Sequence, residues 1–250
     1  MLVDGTGTGL NFQPDFVWIK PYASNAQNHF LYDSVRGVGR SLRSSNNADE
    51  KGPNTGSNGD LTSFNANGFT VGSGTGGTGS GAVNNNNESI VAWCWKAGGT
   101  AASNSDGSIA SSVSAGNGFS VVTWTGTGSA GTIGHGLNGK VPQLIITKRR
   151  DSSGDWYCQV ATIGPTYRIQ LNSASAATSS TSLWNSTSPT GSVFSVSADS
   201  EINANNGTYV AYCFADVPGR QRIGRYNGTC HLYTSPSPRD KRQSRMPSSA

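Results

Sequence analysis

The stretch Ile90-Val91-Ala92-Trp93-Cys94-Trp95 decides the fold, because a close relative of it returns as Tyr209-Val210-Ala211-Tyr212-Cys213-Phe214. Both stretches are β-branched and aromatic without a helical period. Both follow a turn rich in Asn and Gly, at Asn84 to Asn87 and at Asn203 to Gly207, and both run into Gly98-Gly99 or Pro218-Gly219. Each therefore reads as a buried strand that closes one unit of a repeat. Val91/Trp93/Trp95 and Ile90/Ala92/Cys94 are both apolar sets, so the closing strand is expected to be central in its sheet with both faces covered.

Working outward, the flanks repeat as well. Pro14 corresponds to Pro142, Phe16 to Lys20 corresponds to Leu144 to Lys148, and His29 falls where Trp156 stands. Gly37 matches Gly164, Leu42 matches Ile169, and Phe69-Thr70-Val71 matches Phe194-Ser195-Val196. Phe64 pairs with Trp184, and Thr125-Gly126-Thr127-Gly128 echoes Gly5 to Gly9. Differences in spacing fall in loops, where insertions are tolerated. The expected organisation is a first sandwich over residues 1–98, incomplete at its N-terminal side, and a second over 99–219. A third unit begins at 220–229, where Tyr226 stands for Trp124 and should lie exposed or lean on the second unit.

Composition supports an all-β chain: only 34% of the 250 residues are hydrophobic and 13% charged, with 33 glycines. The fold class expected is tandem antiparallel β-sandwiches of jelly-roll or concanavalin-lectin-like type. Residues 99–118 read as a linker, with the Ile109/Val113 pattern as an edge strand. No apolar run approaches the roughly 18 residues of a membrane span, and no signal peptide opens the sequence.

The net charge of +4 is concentrated at the end. Leaving out residues 230–250, with Arg239, Lys241, Arg242, Arg245 and Asp240, takes 18 basic and 14 acidic residues to 14 and 13. Such a balance gives no footprint for a polyanion, so no nucleic-acid partner is expected. Lys148-Arg149-Arg150 is the one remaining basic cluster and reads as a solvated turn. The segment 230–250 resembles a translated sequencing adapter, is expected to be non-native and unpaired, and is set aside from the fold.

Candidate chemistry is sparse. His135, in Gly134-His135-Gly136-Leu137, occupies an exposed-looking turn able to carry a ligand, although a backbone-bonded turn histidine is preferred. Asp151 and Asp155 have oxygen donors for calcium, but a polar hairpin turn is the preferred reading and no metal or other cofactor is expected. Trp156 and Trp184 lie beside turns, where an indole face with a neighbour such as Asp155 suits stacking on a sugar, although the match of Trp184 to Phe64 makes packing the preferred reading. Cys94 and Cys213 read as buried thiols in separate cores, unable to pair. With no nucleophile elbow, no metal-ligand spacing and no separated carboxylate pair, no catalytic residue is assigned and the chain is expected not to be an enzyme.

Taken together, Pro14-Asp15-Phe16-Val17-Trp18-Ile19-Lys20, Tyr32-Asp33-Ser34-Val35-Arg36-Gly37, Val91 to Gly99, Gly134-His135-Gly136-Leu137 and Trp184-Asn185 resemble a repeat domain of unknown function found in marine tailed-phage virion proteins of tail or tail-fibre type. The resemblance covers nearly all of residues 5–229. It implies a β-rich structural module of a virion, with other virion proteins, a host-surface glycan and further copies of the chain as partners. The alternative is a carbohydrate-binding, lectin-like module of a secreted or cell-surface protein. The second unit departs from the pattern at Gln143 and at Ala161-Thr162-Ile163, where the first has Asp15 and Ser34-Val35-Arg36.

Overall fold

The computed structural model describes residues 2–3, 6–7, 9–22, 28–52, 59–72, 83–84 and 88–228. The segment 230–250, expected to be non-native and unpaired, lies outside the described residues. The first unit contributes β1 (Leu2–Val3), β2 (Thr6–Gly7), β3 (Phe16–Pro21), β4 (Phe30–Asp33), β5 (Leu42–Arg43), β6 (Leu61–Asn65), β7 (Gly68–Val71) and β8 (Ile90–Trp95). The second contributes β9 (Ala102–Asn104), β10 (Ser111–Ala115), β11 (Phe119–Thr125), β12 (Gly131–Gly134), β13 (Pro142–Arg149) and β14 (Tyr157–Val160). It continues with β15 (Tyr167–Gln170), β16 (Thr178–Ser179), β17 (Val193–Val196), a one-turn helix α1 (Ser200–Asn203) and β18 (Thr208–Ala215). The chain is all-β, and its strand pairings are antiparallel. Among the described residues no helix is long and apolar enough to cross a membrane.

The repeat holds at the level of register. In the first unit Cys94 faces Val17 and Trp93 faces Trp18 across β8 and β3. In the second, Cys213 faces Ile145 and Tyr212 faces Ile146 across β18 and β13. The next hairpin repeats too: Leu31 pairs with Trp18 as Cys158 pairs with Ile146. The turn after it is closed by Gly37 N–H donating to Asp33 O in one unit and Gly164 N–H donating to Val160 O in the other. Both glycines sit at positive φ, +93° and +100°, where a β-carbon is strained.

Two sequence pairings shift by a short distance. The N-terminal glycine stretch has its counterpart in β12, because β2 pairs with β7 as β12 pairs with β17; Thr6 lies opposite Thr70 and Thr132 opposite Ser195. Trp184 stands for Leu61 and not for Phe64, since the carbonyls before them, Asp60 O and Leu183 O, accept from the residues after β7 and β17, Gly72 and Ser197. Residues 99–118 are not a linker: they form β9 and β10, and β10 lies between β9 and β11 instead of at an edge. Ile109 and Val113 are buried because they roof the second core.

The largest departure concerns the closing strands. β18 is central, between β13 and β11, in an eight-stranded sheet ordered β16-β15-β14-β13-β18-β11-β10-β9. β8 ends the four-stranded sheet β5-β4-β3-β8, with β3 its one strand neighbour among the described residues. The expectation of a central strand with both sides covered is met by β18 alone; β8 lacks the neighbour that β11 supplies, and all six of its residues keep some solvent exposure.

Each unit has an inner core of its own. Val17, Ile19, Phe30, Tyr32, Leu61, Phe69, Val71 and Val83 form the first, with Cys94 packed at its border. The second holds Trp124, Ile145, Trp184, Phe194, Tyr209 and Cys213 among others. Cys94 and Cys213 thus belong to different cores, and both are free thiols.

Between these lies a third apolar layer, which explains why the strands are apolar on both faces. Phe16, Leu31 and Leu42 of the first unit meet Phe119, Val121, Ile146, Trp156, Cys158, Val210, Tyr212 and Phe214 of the second. The layer is built from equivalent positions: Phe16 with Leu144, Trp18 with Ile146, Leu31 with Cys158, Leu42 with Ile169 and Trp95 with Phe214. Each unit therefore presents the same sheet face to the other, the relation found in an isologous dimer interface. At about 1.5 to 3 kcal/mol for each fully buried large side chain, this layer is a principal source of stability.

Candidate functional site: the polar seam between the units

One edge of the shared apolar layer carries a chain of charged groups contributed by both units. Arg36, in the turn after β4, is buried and donates through Nε to Asp33 Oδ2. Its Nη1 donates to Glu50 Oε2 at 2.9 Å and to the Arg40 carbonyl at 3.0 Å. Its Nη2 donates to Leu31 O at 3.0 Å and to the Tyr212 hydroxyl at 3.1 Å, and that hydroxyl donates to Asp33 Oδ2 at 2.8 Å. Arg150, at the end of β13, closes the chain with Nε 2.9 Å and Nη2 3.0 Å from the two Glu50 oxygens.

These charges hold one another in place. Burial pushes the Glu50 carboxyl up, but Arg150 and Arg36 outweigh that effect and hold it down at about 2. Burial also disfavours the Arg36 cation, yet Asp33, Tyr212 and Glu50 together raise its pKa above the ordinary value. The Tyr212 hydroxyl is pushed well above the usual tyrosine range, by burial first. Guanidinium forks suit such a site because their donors are rigidly splayed and always charged.

The backbone extends the seam. Glu50 N–H donates to Arg150 O and Gly154 N–H to Asn47 O, both at 2.9 Å. Lys148 is buried, with Nζ 2.9 Å from Gly154 O and 3.3 Å from Asn47 O; burial lowers its pKa to about 8. Trp156 donates from Nε1 to Arg43 O at 2.8 Å. The reading of Lys148-Arg149-Arg150 as a solvated turn thus fails for Lys148 and Arg150, which fasten one unit to the other. Arg149 is the more exposed member and pairs with Asp151.

The structure separates the residues singled out from sequence. Trp156 lies in the layer between units and Trp184 in the second core, both with no solvent exposure, so neither offers a face to a sugar. They sit beside turns in sequence, but the turns fold their indoles inward, where large apolar area is best placed. Asp155 accepts from Gln170 Nε2 and from Asn172 Nδ2, the latter at 2.9 Å, and so pins the approach to β14 to the end of β15. No cluster of three or more metal-ligating residues occurs among the described residues.

His135 is buried, contrary to its exposed-looking setting. Leu137 N–H donates to its Nδ1 at 3.2 Å, which leaves the proton on Nε2 for the Thr190 carbonyl 3.1 Å away. Burial lowers its pKa, favouring this neutral form. The turn exists because Gly136 and Asn138 take positive φ, 68° and 50°, and the same pair recurs as Gly9 and Asn11 at 84° and 58°.

The thiols are no better suited to chemistry. Burial pushes Cys94 up to about 11 and Cys158 and Cys213 up to about 12, so all three are held as thiols and not as the nucleophilic thiolate.

Sequence reasoning missed the seam. Asp33 and Arg36 were visible only as parts of a motif, Glu50 only as one residue of a polar loop, and Tyr212 only as a core aromatic. The available signal was the pair of acid and base three residues apart before a glycine in one unit, with Val160 and Ile163 in their places in the other. That asymmetry is what a hub between unequal halves requires.

At the end of β8, with none of the seam residues in its lining, is a cavity of about 590 Å³ whose walls include Trp95, Lys96, Phe119, Arg220 and Gln221.

No curated protein and no solved structure matches the chain. A family profile does match, over residues 3–233, and so takes in both units together with the segment after β18. By that match the chain belongs to the family described as Domain of unknown function (DUF7483).

Proposed function

We propose that this chain is a non-enzymatic structural module of a tailed-phage virion, of the tail or tail-fibre kind, whose two units form one stiff body that spaces or displays a host-contacting surface. The observation that carries the reading is the seam. Arg36, Glu50, Arg150, Lys148, Asp33 and Tyr212, the groups with most chemical capacity, are spent on one another and on holding two sheets face to face. A joint made of a broad apolar layer and a buried ion network resists hinge motion, as a load-bearing part requires. The partners of such a module are other virion proteins and a host-surface glycan. Mass spectrometry and immunogold labelling of purified virions test it: the expected result is the chain's peptides in the particle and label on the tail, and their absence from the particle ends the proposal.

A carbohydrate-binding role is the second reading, and the cavity at the end of β8 is what favours it. Trp95 and Phe119 give it aromatic walls, and Lys96 and Arg220 give it cations. Retention on a glycan array that is lost in Arg220→Ala and Lys96→Ala variants supports this reading; an array without signal removes it.

A further inference from the structure

The edge of β8 that has no strand neighbour among the described residues has a template in the same molecule. In the second unit the corresponding edge of β18 is filled by β11, with Phe119 opposite Phe214, Val121 opposite Tyr212 and Trp124 opposite Tyr209. Transferred to the first unit through the register of the two closing strands, those places lie opposite Trp95, Trp93 and Ile90.

A segment fit to fill them follows β18. Gln221-Arg222-Ile223-Gly224-Arg225-Tyr226-Asn227-Gly228 resembles Phe119 to Gly126, with Tyr226 for Trp124 and Gly228 for Gly126. In the structure its beginning is fixed: Gln221 bridges to Val217, and its side-chain amide donates to Gly118 O and Ala215 O. Ile223 N–H donates to Asp216 and its side chain leans on the layer between the units. Beyond Ile223 the segment joins no strand, and Tyr226 is 92% exposed, the most exposed of the large apolar side chains described.

The two features begin at one place. Gln221 and Trp95 line the same cavity, and the β11 template puts Gln221 opposite Trp95. From that point, a chain running antiparallel to β8 carries Ile223 to Trp93, itself 45% exposed, and Tyr226 to Ile90. We infer that Ile223 to Gly228 is a strand that docks on this edge of β8 within the same chain, so that the opening strand of a third unit completes the sheet of the first. Edge pairing supplies backbone hydrogen bonds, and the exposed Tyr226 and Trp93 supply apolar area to bury. Tethering at Gln221 makes the event intramolecular, which favours it over capture of a strand from another molecule.

A cysteine pair tests the register. In a Cys230→Ser background, Ile90→Cys with Tyr226→Cys places the two α-carbons within disulfide reach in the docked form, under about 7 Å. The control pairs Tyr226→Cys with Thr62→Cys, at the exposed position of β6. Under mild oxidation the expected result is a linked peptide in monomeric protein at roughly ten times the control yield or more, as tethering predicts. A smaller ratio, or a link found only in dimers, overturns the inference. Hydrogen exchange on the unsubstituted chain gives a reading free of folding artefacts: truncation after Arg222 should speed exchange at Val91 to Trp93, and unchanged exchange there counts against docking.

Discussion

The strands β8 and β18 have nearly the same sequence and the same partner on one side, yet they live in different surroundings. Each lies against its counterpart strand, β3 or β13, in the same register. On the other side β18 has β11, and β8 has no strand among the described residues. The consequence is sharpest at one equivalent position: Tyr212 has no solvent exposure and is bonded to Asp33 and Arg36, whereas Trp93 is almost half exposed. A residue's place in a repeat fixes its strand and its face. Its energetic weight depends on what the rest of the chain brings to that face.

The strongest way to break the comparison is to remove the hub that β18 serves. Arg36→Met leaves Asp33 and Glu50 buried without their shared cation, and loss of one partner of a buried pair costs about 3 to 5 kcal/mol. Denaturant unfolding should show a loss of that size; a loss below about 1 kcal/mol would mean the network is incidental to the joint. Next in size is Tyr212→Phe, which keeps the ring and deletes the hydroxyl that donates to Asp33 and accepts from Arg36. Leaving charged groups short of a partner costs about 1 to 3 kcal/mol. At the equivalent position Trp93→Phe should change stability by less than about 0.5 kcal/mol, because the site is half exposed and outside the seam.

The seam also sets a pH dependence. The folded-state pKa of Glu50 is depressed to about 2, so its contribution is fully present above the ordinary carboxylate range and is lost as pH falls toward about 2. A stability profile over that window should slope downward with acid, and Glu50→Gln should flatten it while lowering the plateau. Lys148 adds a slope of the same sign in a higher window. Its folded pKa is lowered to about 8, so between that value and the ordinary lysine value the unfolded chain holds more protons, and stability from this group rises with pH.

The smallest expected difference lies between the two equivalent cysteines. Both thiols are raised by burial, Cys94 to about 11 and Cys213 to about 12, so both should alkylate slowly at neutral pH. Cys94 is partly exposed on the edge strand and Cys213 is fully buried, so peptide mapping after native-state alkylation should find Cys94 modified first. Equal rates would mean that the edge of β8 is as well covered as the centre of β18.

The sequence by itself determined the all-β class, the repeat, the register of the closing strands and the turns at Gly37 and Gly164, since these follow from local alternation and from φ values that few residues tolerate. Its match of Tyr226 to Trp124 marked that residue as exposed or leaning on the second unit, and the structure leaves it 92% exposed. Only the tertiary structure decided which side chains meet across the two units. Periodicity marks a face as apolar but does not say what covers it, and so the face shared by Phe16 and Ile146 read as part of two separate sandwiches. The buried network failed to show for a related reason: Arg36 and Tyr212 lie 176 residues apart, and nothing local to either one signals the other. Trp156, Trp184 and His135 looked available because they stand beside turns, while a turn's sequence does not state which way its side chains point. That direction is set by the apolar area each ring removes from water, and it is fixed once the sheets have closed on one another.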